Sequence, residues 1–280
     1  MEPIPNSGRF KTFDAVELFE RCWDAPGDAR AHLALVHGYG EHCSRYDHVA
    51  RAMNEAGITV HSYDQRGFGH SPGRRAYIHD CEVWLRDLDA FLAHIQPRIA
   101  DKPFFIMGHS MGGQFVALHY ITRRPAVRGL VLSSPFVQFN DDVPELLVAL
   151  SGVVGAVLPC LPVSSVSTVT LSRDPAVVRA ADEDPLSYHG SVRARTGAQF
   201  KRAIDRIAAN MEAIDAPLYI LHGTDDKLVP VRGSRLLHDR AKSEDKTLRI
   251  YEGAYHEVWN DLCKDEAIDG IVSWIRAHTP

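Results

Sequence analysis

The chain has 280 residues, 45% hydrophobic and 24% charged, with a formal net charge of −5, an ordinary balance for a globular protein with a sizeable core. The negative charge, with no Lys/Arg-rich run against it, excludes nucleic acid as the expected partner. Five scattered cysteines, at 22, 43, 81, 160 and 263 and never at C-x-x-C spacing, point away from zinc or redox chemistry and towards reduced thiols in a cytoplasmic chain. Residues 1–6 are neither basic nor apolar, so no signal peptide is expected.

Residues 10–13 and 16–23 read as a hairpin of two strands. The apolar run 32–37, ended by Gly38, has the signature of a buried strand. Ser44 is placed to cap a helix that runs through Val49, Met53 and Ala56 and stops at Gly57. Residues 59–63 form the next strand. Val83, Trp84, Leu85, Leu88, Phe91 and Leu92 recur at helical spacing, and Pro97 ends that helix. Residues 103–107 are an apolar strand and residues 114–120 carry a helical pattern. Between them lies Gly108-His109-Ser110-Met111-Gly112. Strand, Gly-x-Ser-x-Gly, helix is the setting of a nucleophile elbow. The glycines admit a turn too sharp for flanking side chains, and the serine takes a strained conformation that stands its hydroxyl clear of the sheet. Residues 127–133 form a further strand.

The interval from 136 to about 200 breaks this rhythm. It shows no clear strand, and it is too long for a simple loop. From Leu146 to Ser172 it holds no charged residue. The apolar helix expected at 146–158 is stopped by Pro159 and reaches roughly 20 Å, short of the roughly 30 Å of a bilayer core. It reads as a buried or surface-docking helix. Strands follow at 218–222 and 248–251, and a last helix at 265–278. The alternation implies an α/β fold, with a mostly parallel central sheet flanked by helices. The expected division is a core of residues 1–135 and 206–280, with an inserted helical cap at 136–205.

Near neutral pH a serine hydroxyl needs a base to take its proton. In chains with this elbow the order is Ser, then an acid after a late strand, then a His before the last helix. The strand at 218–222 ends in Gly223-Thr224-Asp225-Asp226, and Asp226, fourth residue of Gly-x-x-Asp, is favoured over Asp225. The strand at 248–251 ends in a loop that presents His256. The N–H of Met111, opening the elbow helix, is one expected oxyanion donor. The N–H of Tyr39, in His37-Gly38-Tyr39-Gly40, is the other. His109 is expected to pack beside the nucleophile or line the pocket. His119 belongs on the buried helix.

His37-Gly38-Tyr39-Gly40-Glu41-His42, residues 64–71, Gly108-His109-Ser110-Met111-Gly112-Gly113, His222-Gly223-Thr224-Asp225-Asp226 and residues 251–257 stand in an order that resembles the bacterial monoacylglycerol lipases, within the lysophospholipase and serine-aminopeptidase-like α/β-hydrolases. The cap is similar at 171–175 and 184–190. The resemblance implies a serine hydrolase that splits monoacylglycerols into fatty acid and glycerol, with no metal or organic cofactor. It implies Ser110, Asp226 and His256 as catalytic residues, Tyr39 and Met111 as oxyanion donors, and the cap as a substrate gate. Glu41 and Arg45 look like a structural ion pair, and residues 64–71 a support for the site. Tyr188 and His189 are candidates for holding the glycerol head group. The apolar cap helix is expected to meet lipid surfaces transiently. A lysophospholipid or short carboxylester substrate is the alternative, with Arg173, Arg179 and Arg193 available to a phosphate; a non-catalytic ligand-binding module is another.

Overall fold

The computed structural model describes residues 6–141 and 143–280; residues 1–5, most of the stretch expected to lack a signal peptide, lie outside them. The chain opens with β1 (Asn6–Lys11) and β2 (Glu17–Trp23), then alternates: β3 (Ala31–Val36), α1 (Asp47–Glu55), β4 (Ile58–Tyr63), α2 (Cys81–Ile99), β5 (Phe104–His109), α3 (Met111–Arg123) and β6 (Gly129–Ser133). The middle interval holds α4 (Glu145–Val157), β7 (Pro162–Ser165), α5 (Pro175–Glu183), β8 (Ser191–Arg193) and α6 (Ala194–Ala208). The chain closes with β9 (Leu218–Gly223), α7 (Val231–Arg240), β10 (Lys246–Tyr251) and α8 (Lys264–Ala277).

Eight strands form one sheet in the order β1-β2-β4-β3-β5-β6-β9-β10. β1 and β2 pair antiparallel, as does β2 with β4, and every pairing from β4 to β10 is parallel. The mostly parallel sheet of the sequence reading is therefore present. Its strands are apolar on both faces because both are covered. Ala34, Val36, Ile106, Leu130 and Leu132 face α2, α3 and α6. Leu33, Leu35, Phe105, Met107 and Val131 alternate with them and face α1 and α8. This period of two sends each strand's side chains into separate cores.

Four local expectations differ from the structure. Ser44 does not cap α1: it lies inside a 3-10 turn, Cys43–Tyr46, and α1 opens at Asp47, whose carboxylate sits in the first turn where the helix dipole favours it. Pro97 does not end α2, which runs on to Ile99. Pro97 is exposed, so the carbonyl it leaves unpaired faces water, while Ile95 and Ile99 anchor the turn in the core. The middle interval contains two strands, β7 and β8, paired antiparallel away from the main sheet. They were invisible because they are short and serine-rich. Finally, α6 crosses position 205 as one continuous helix, packed on α4 at one side and on α2 and α3 at the other.

Candidate active site

Ser110 joins β5 to α3 at φ 54° and ψ −116°, a left-handed conformation that costs a non-glycine residue about 1–3 kcal/mol. Its N–H donates to the Ser133 carbonyl at 2.9 Å, and its own carbonyl accepts from Gln114 and Phe136 at 3.0 Å each. These bonds hold the turn against the end of β6. A Cβ on Gly112 would stand 2.1 Å from the Val36 carbonyl oxygen, so no other residue lets α3 start this close to β3. The strained turn expected at Ser110 is thus built by the ends of three neighbouring strands.

The loops after β9 and β10 bring Asp226 and His256 together. Both are buried. His256 Nδ1 donates to Asp226 Oδ2 at 2.6 Å, and Asp226 Oδ1 accepts the N–H groups of Leu228 at 2.8 Å and Val229 at 2.9 Å. Burial pushes the Asp226 carboxyl up, but the His256 charge and the bonds from His222 and His256 hold it well below the usual carboxylate range. Burial pulls the His256 imidazole down, and Asp226 at its side outweighs this and raises it above its ordinary value. The Ser134 hydroxyl donates to the His256 carbonyl at 2.8 Å, which ties the histidine loop back to β6. Asp225 is exposed.

The loop after β3 lies against Ser110. A Cβ on Gly38 would meet Ser110 Cβ at 3.2 Å and His109 Cδ2 at 3.3 Å. Glu41 shapes this loop, accepting the Gly38 N–H at 2.5 Å and the Tyr46 hydroxyl at 2.7 Å. Arg45 binds Glu41 at 3.1 Å and grips both oxygens of Glu257 at 2.6 and 2.8 Å. Burial pushes Glu41 up to about 7 against the pull of Arg45. Burial also pushes Glu257 up, but the charge and hydrogen bonds of Arg45 reverse this and hold it low. His37 Nδ1 donates to the Gly38 carbonyl at 2.8 Å, and its Nε2 accepts from the Gln65 N–H at 2.9 Å. The carboxylate of Asp64 accepts the N–H groups of Cys43 at 2.9 Å and His70 at 2.7 Å. Segment 64–71 therefore supports this loop from outside the cavity. The N–H groups of Tyr39 and Met111 have no acceptor among the described residues.

A cavity of about 370 Å³ opens over Ser110, with Tyr39, Met111 and His256 in its wall. Its apolar lining comes from Phe136, Phe139, Phe200 and one face of α4, chiefly Leu147, Val148 and Val154. The Tyr39 ring turns aside into Phe68, Tyr188 and Phe200, with centroids 5.5, 6.1 and 5.7 Å away, and its hydroxyl donates to the Ala76 carbonyl at 3.1 Å. His109 is buried and lines the cavity, its ring 4.7 Å from that of His256 and 5.4 Å from that of Trp259. Tyr188 and His189 also line it. The Tyr188 N–H donates to the Gly40 carbonyl at 2.8 Å and its hydroxyl to the Ser191 carbonyl at 3.0 Å. His189 is exposed, with Nε2 3.3 Å from the Asp184 carbonyl oxygen.

None of Arg173, Arg179 and Arg193 lines the cavity; its cations among the described residues are Arg45 and Lys227. Arg173 Nε is bound to buried Asp261 at 2.7 Å. His119 lies on α3, with Nε2 2.7 Å from Asp89 Oδ1, remote from Ser110. No group of three or more His, Cys, Asp or Glu among the described residues is arranged to hold a metal ion. No helix among them is long and apolar enough to cross a membrane.

Sequence reasoning missed three contributors. His222, the last side chain of β9, donates from Nε2 to Asp226 Oδ2 at 3.0 Å; a polar residue closing an otherwise apolar strand was its visible signal. Glu257 completes the Arg45 cluster, and the two are 212 positions apart, beyond any local pattern. Asp261 accepts the Tyr255 N–H at 2.7 Å as well as Arg173, joining the histidine loop to the middle interval.

Residues 27–263 match the family model described as serine aminopeptidase, S33. The monoacylglycerol lipase of Mycolicibacterium smegmatis is 37% identical over 96% of each chain. The monoglyceride lipase of Homo sapiens is 34% identical over 95% of this chain and 89% of its own. The crystal structure of Paleococcus ferrophilus monoacylglycerol lipase, 34% identical, superposes with a TM-score of 0.85 over 94% of this chain and 99% of that one.

Proposed function

Because the chain belongs to the monoacylglycerol lipase family of S33-like α/β-hydrolases, we infer that it is a carboxylic ester hydrolase that cleaves monoacylglycerols to fatty acid and glycerol through an acyl-enzyme on Ser110. The observation that carries this reading is the facing of Ser110 and His256 into one apolar cavity whose carboxylates, Glu41 and Glu257, are both bound by Arg45. A site for free peptide N-termini needs an unpaired anion for the ammonium group; this cavity suits a neutral ester with a long acyl tail.

In the proposed mechanism His256 Nε2 takes the Ser110 proton as Oγ attacks the ester carbonyl carbon. Asp226 orients the ring and stabilises the imidazolium without accepting its proton. The N–H groups of Tyr39 and Met111, the latter at the positive end of α3, receive the oxyanion. The C–O bond to glycerol then breaks, and His256 returns the proton to the departing oxygen. Water repeats the attack, its proton passing through His256 to Ser110 as the fatty acid leaves. His109 walls the imidazole from behind, and Tyr188 and His189, at the edge of the cavity, receive the glycerol hydroxyls. Residues 136–193, the segment before α6, act as the cap over this site, and the outer face of α4 makes its transient contact with lipid surfaces.

The test is the rate of hydrolysis of 1-monoacylglycerols of increasing chain length, beside diacylglycerol, lysophosphatidylcholine and a short p-nitrophenyl ester. The expected result is a kcat/KM preference for monoacylglycerol that disappears in Ser110→Ala. Activity confined to the short ester would replace this reading with a general carboxylesterase. A preference for lysophosphatidylcholine would move it to a lysophospholipase.

A further inference from the structure

Asp226 has more donors than the orientation of one histidine requires. Oδ1 holds two backbone N–H groups, and Oδ2 is shared by two imidazoles: His256 Nδ1 at 2.6 Å and His222 Nε2 at 3.0 Å. His222 is fully buried at the end of β9 and does not line the cavity. Its Nε2 also lies 3.1 Å from the Val229 carbonyl oxygen. Two acceptors at Nε2 place a proton there. Nδ1 lies 2.7 Å from the hydroxyl of Ser234, itself fully buried on α7. In the neutral ring Nδ1 then accepts from that hydroxyl. Donation therefore runs in one direction, from Ser234 to His222 to Asp226.

We propose that His222, with its tautomer set by Ser234, is a positioning residue of the reaction: it fixes Asp226 Oδ2 in line with His256 and shares that oxygen's charge. This rests on the reading of Ser110, Asp226 and His256 as the catalytic set. The shared oxygen moderates how strongly Asp226 raises the His256 imidazole. The remaining groups around His256 are His109, its ring tilted 52° to that of His256 at 4.7 Å, and Glu257 and Glu41 with Arg45 between them. Among the described residues no hydrogen bond joins any of these to His222 or Ser234, so a change in the relay is read through Asp226. Because neither residue lines the cavity, the effect falls on proton transfer and not on substrate binding.

The experiment compares Ser234→Ala, His222→Leu and His222→Gln in the full chain. It reads kcat, KM, the pH profile of kcat/KM, the rate of Ser110 labelling by a fluorophosphonate, and the melting temperature. His222→Leu should lower kcat about 10- to 100-fold, the usual loss for a hydrogen bond to a charged group, and Ser234→Ala about 3- to 10-fold. KM should stay unchanged. The acidic limb should move to higher pH, furthest in His222→Leu, where Oδ2 loses a donor and turns its charge on His256, and less in Ser234→Ala, where a His222 ring no longer pinned at Nδ1 donates to Oδ2 only part of the time. His222→Gln, whose amide N–H falls where Nε2 stood, should restore most of kcat. Unchanged kcat and limb in Ser234→Ala and His222→Leu would overturn the proposal. A loss that Gln does not restore, with the limb unmoved, would equally reduce His222 to packing. If His222→Leu fails to fold, Ser234→Ala carries the test. Ser110→Ala and Asp226→Asn serve as references. Their inactivity beside unaffected relay variants sinks only this proposal, whereas activity in both references sinks the catalytic reading beneath it.

Discussion

His256 is pulled two ways. Burial favours the neutral ring, while Asp226, then Glu257 and Glu41, favour the imidazolium, and the anions prevail. A base that must be neutral in the free enzyme loses activity as pH falls through its own pKa. The acidic limb of kcat/KM is therefore expected above the unperturbed imidazole value of about 6.5. A limb at or below that value, in a pH series on monoacylglycerol, would contradict the balance described. The convergence of Ser110, Asp226 and His256 was legible in the sequence for a common reason: each follows a recognisable apolar strand, so position in the fold could be read from position in the chain. His222 was harder, because its partner is another side chain and not a turn. Glu257 was unreadable: its pairing with Arg45 depends on the 3-10 turn before α1 meeting the loop after β10, which no periodicity records.

Helix α4 is apolar all round, yet only Gly155 on it is buried. Its inner face, with Leu147, Val148 and Val154, lines the cavity. Its outer face carries Leu146, Val153 and Val157 at 70%, 64% and 71% exposure. Apolar side chains left in water at i, i+7 and i+11 on one face form a patch suited to a lipid surface. The triple change Leu146→Ser, Val153→Ser and Val157→Ser should weaken sedimentation with monoacylglycerol-containing vesicles and slow hydrolysis there. A soluble short ester should be cleaved as before. Equal losses on both substrates would refute docking by this face. The apolar run of α4 was plain in the sequence, but its two-faced use was not, since composition does not tell which side meets protein. Pro97 and Ser44 misled for a related reason. Each obeys its local preference, yet the core contacts of Ile95 and Ile99 and the 3-10 turn before α1 decided the outcome.

Across the molecule, burial holds five imidazoles below their ordinary value: His32, His48 and His109, with His37 at about 4 and His61 at about 3. The native chain keeps them neutral where the unfolded chain protonates. Stability they contribute is full above about 6.5 and is lost as pH falls towards their folded values, at up to about 1.4 kcal/mol per pH unit for each proton. His256 has the opposite sign, since stability from its raised value is lost as pH rises through it. The melting temperature should therefore drop progressively between about pH 6.5 and pH 4; a flat profile across that window would show that the native chain takes up these protons as readily as the unfolded one. At this scale the sequence was most readable. Alternating strand and helix patterns announce a parallel sheet, whereas the order in which β4, β3, β5, β6 and β9 stand side by side depends on pairings between distant segments.

β6 and β9 are parallel neighbours, and α6 packs on α3 between them in the chain. To the sheet they form a simple strand–helix–strand crossover. Everything between Phe136 and Arg193 is an excursion at one corner of it, and the entropy of closing a longer loop rises only slowly with its length. Its links back to the sheet side include Tyr188 to Gly40, Asp184 to His42, Leu171 to Glu257 and Arg173 to Asp261. In evolutionary terms this corner is an insertion port: a lineage can rewrite the wall of the pocket by exchanging one contiguous stretch of gene, while the strands that aim Ser110, Asp226 and His256 keep their addresses.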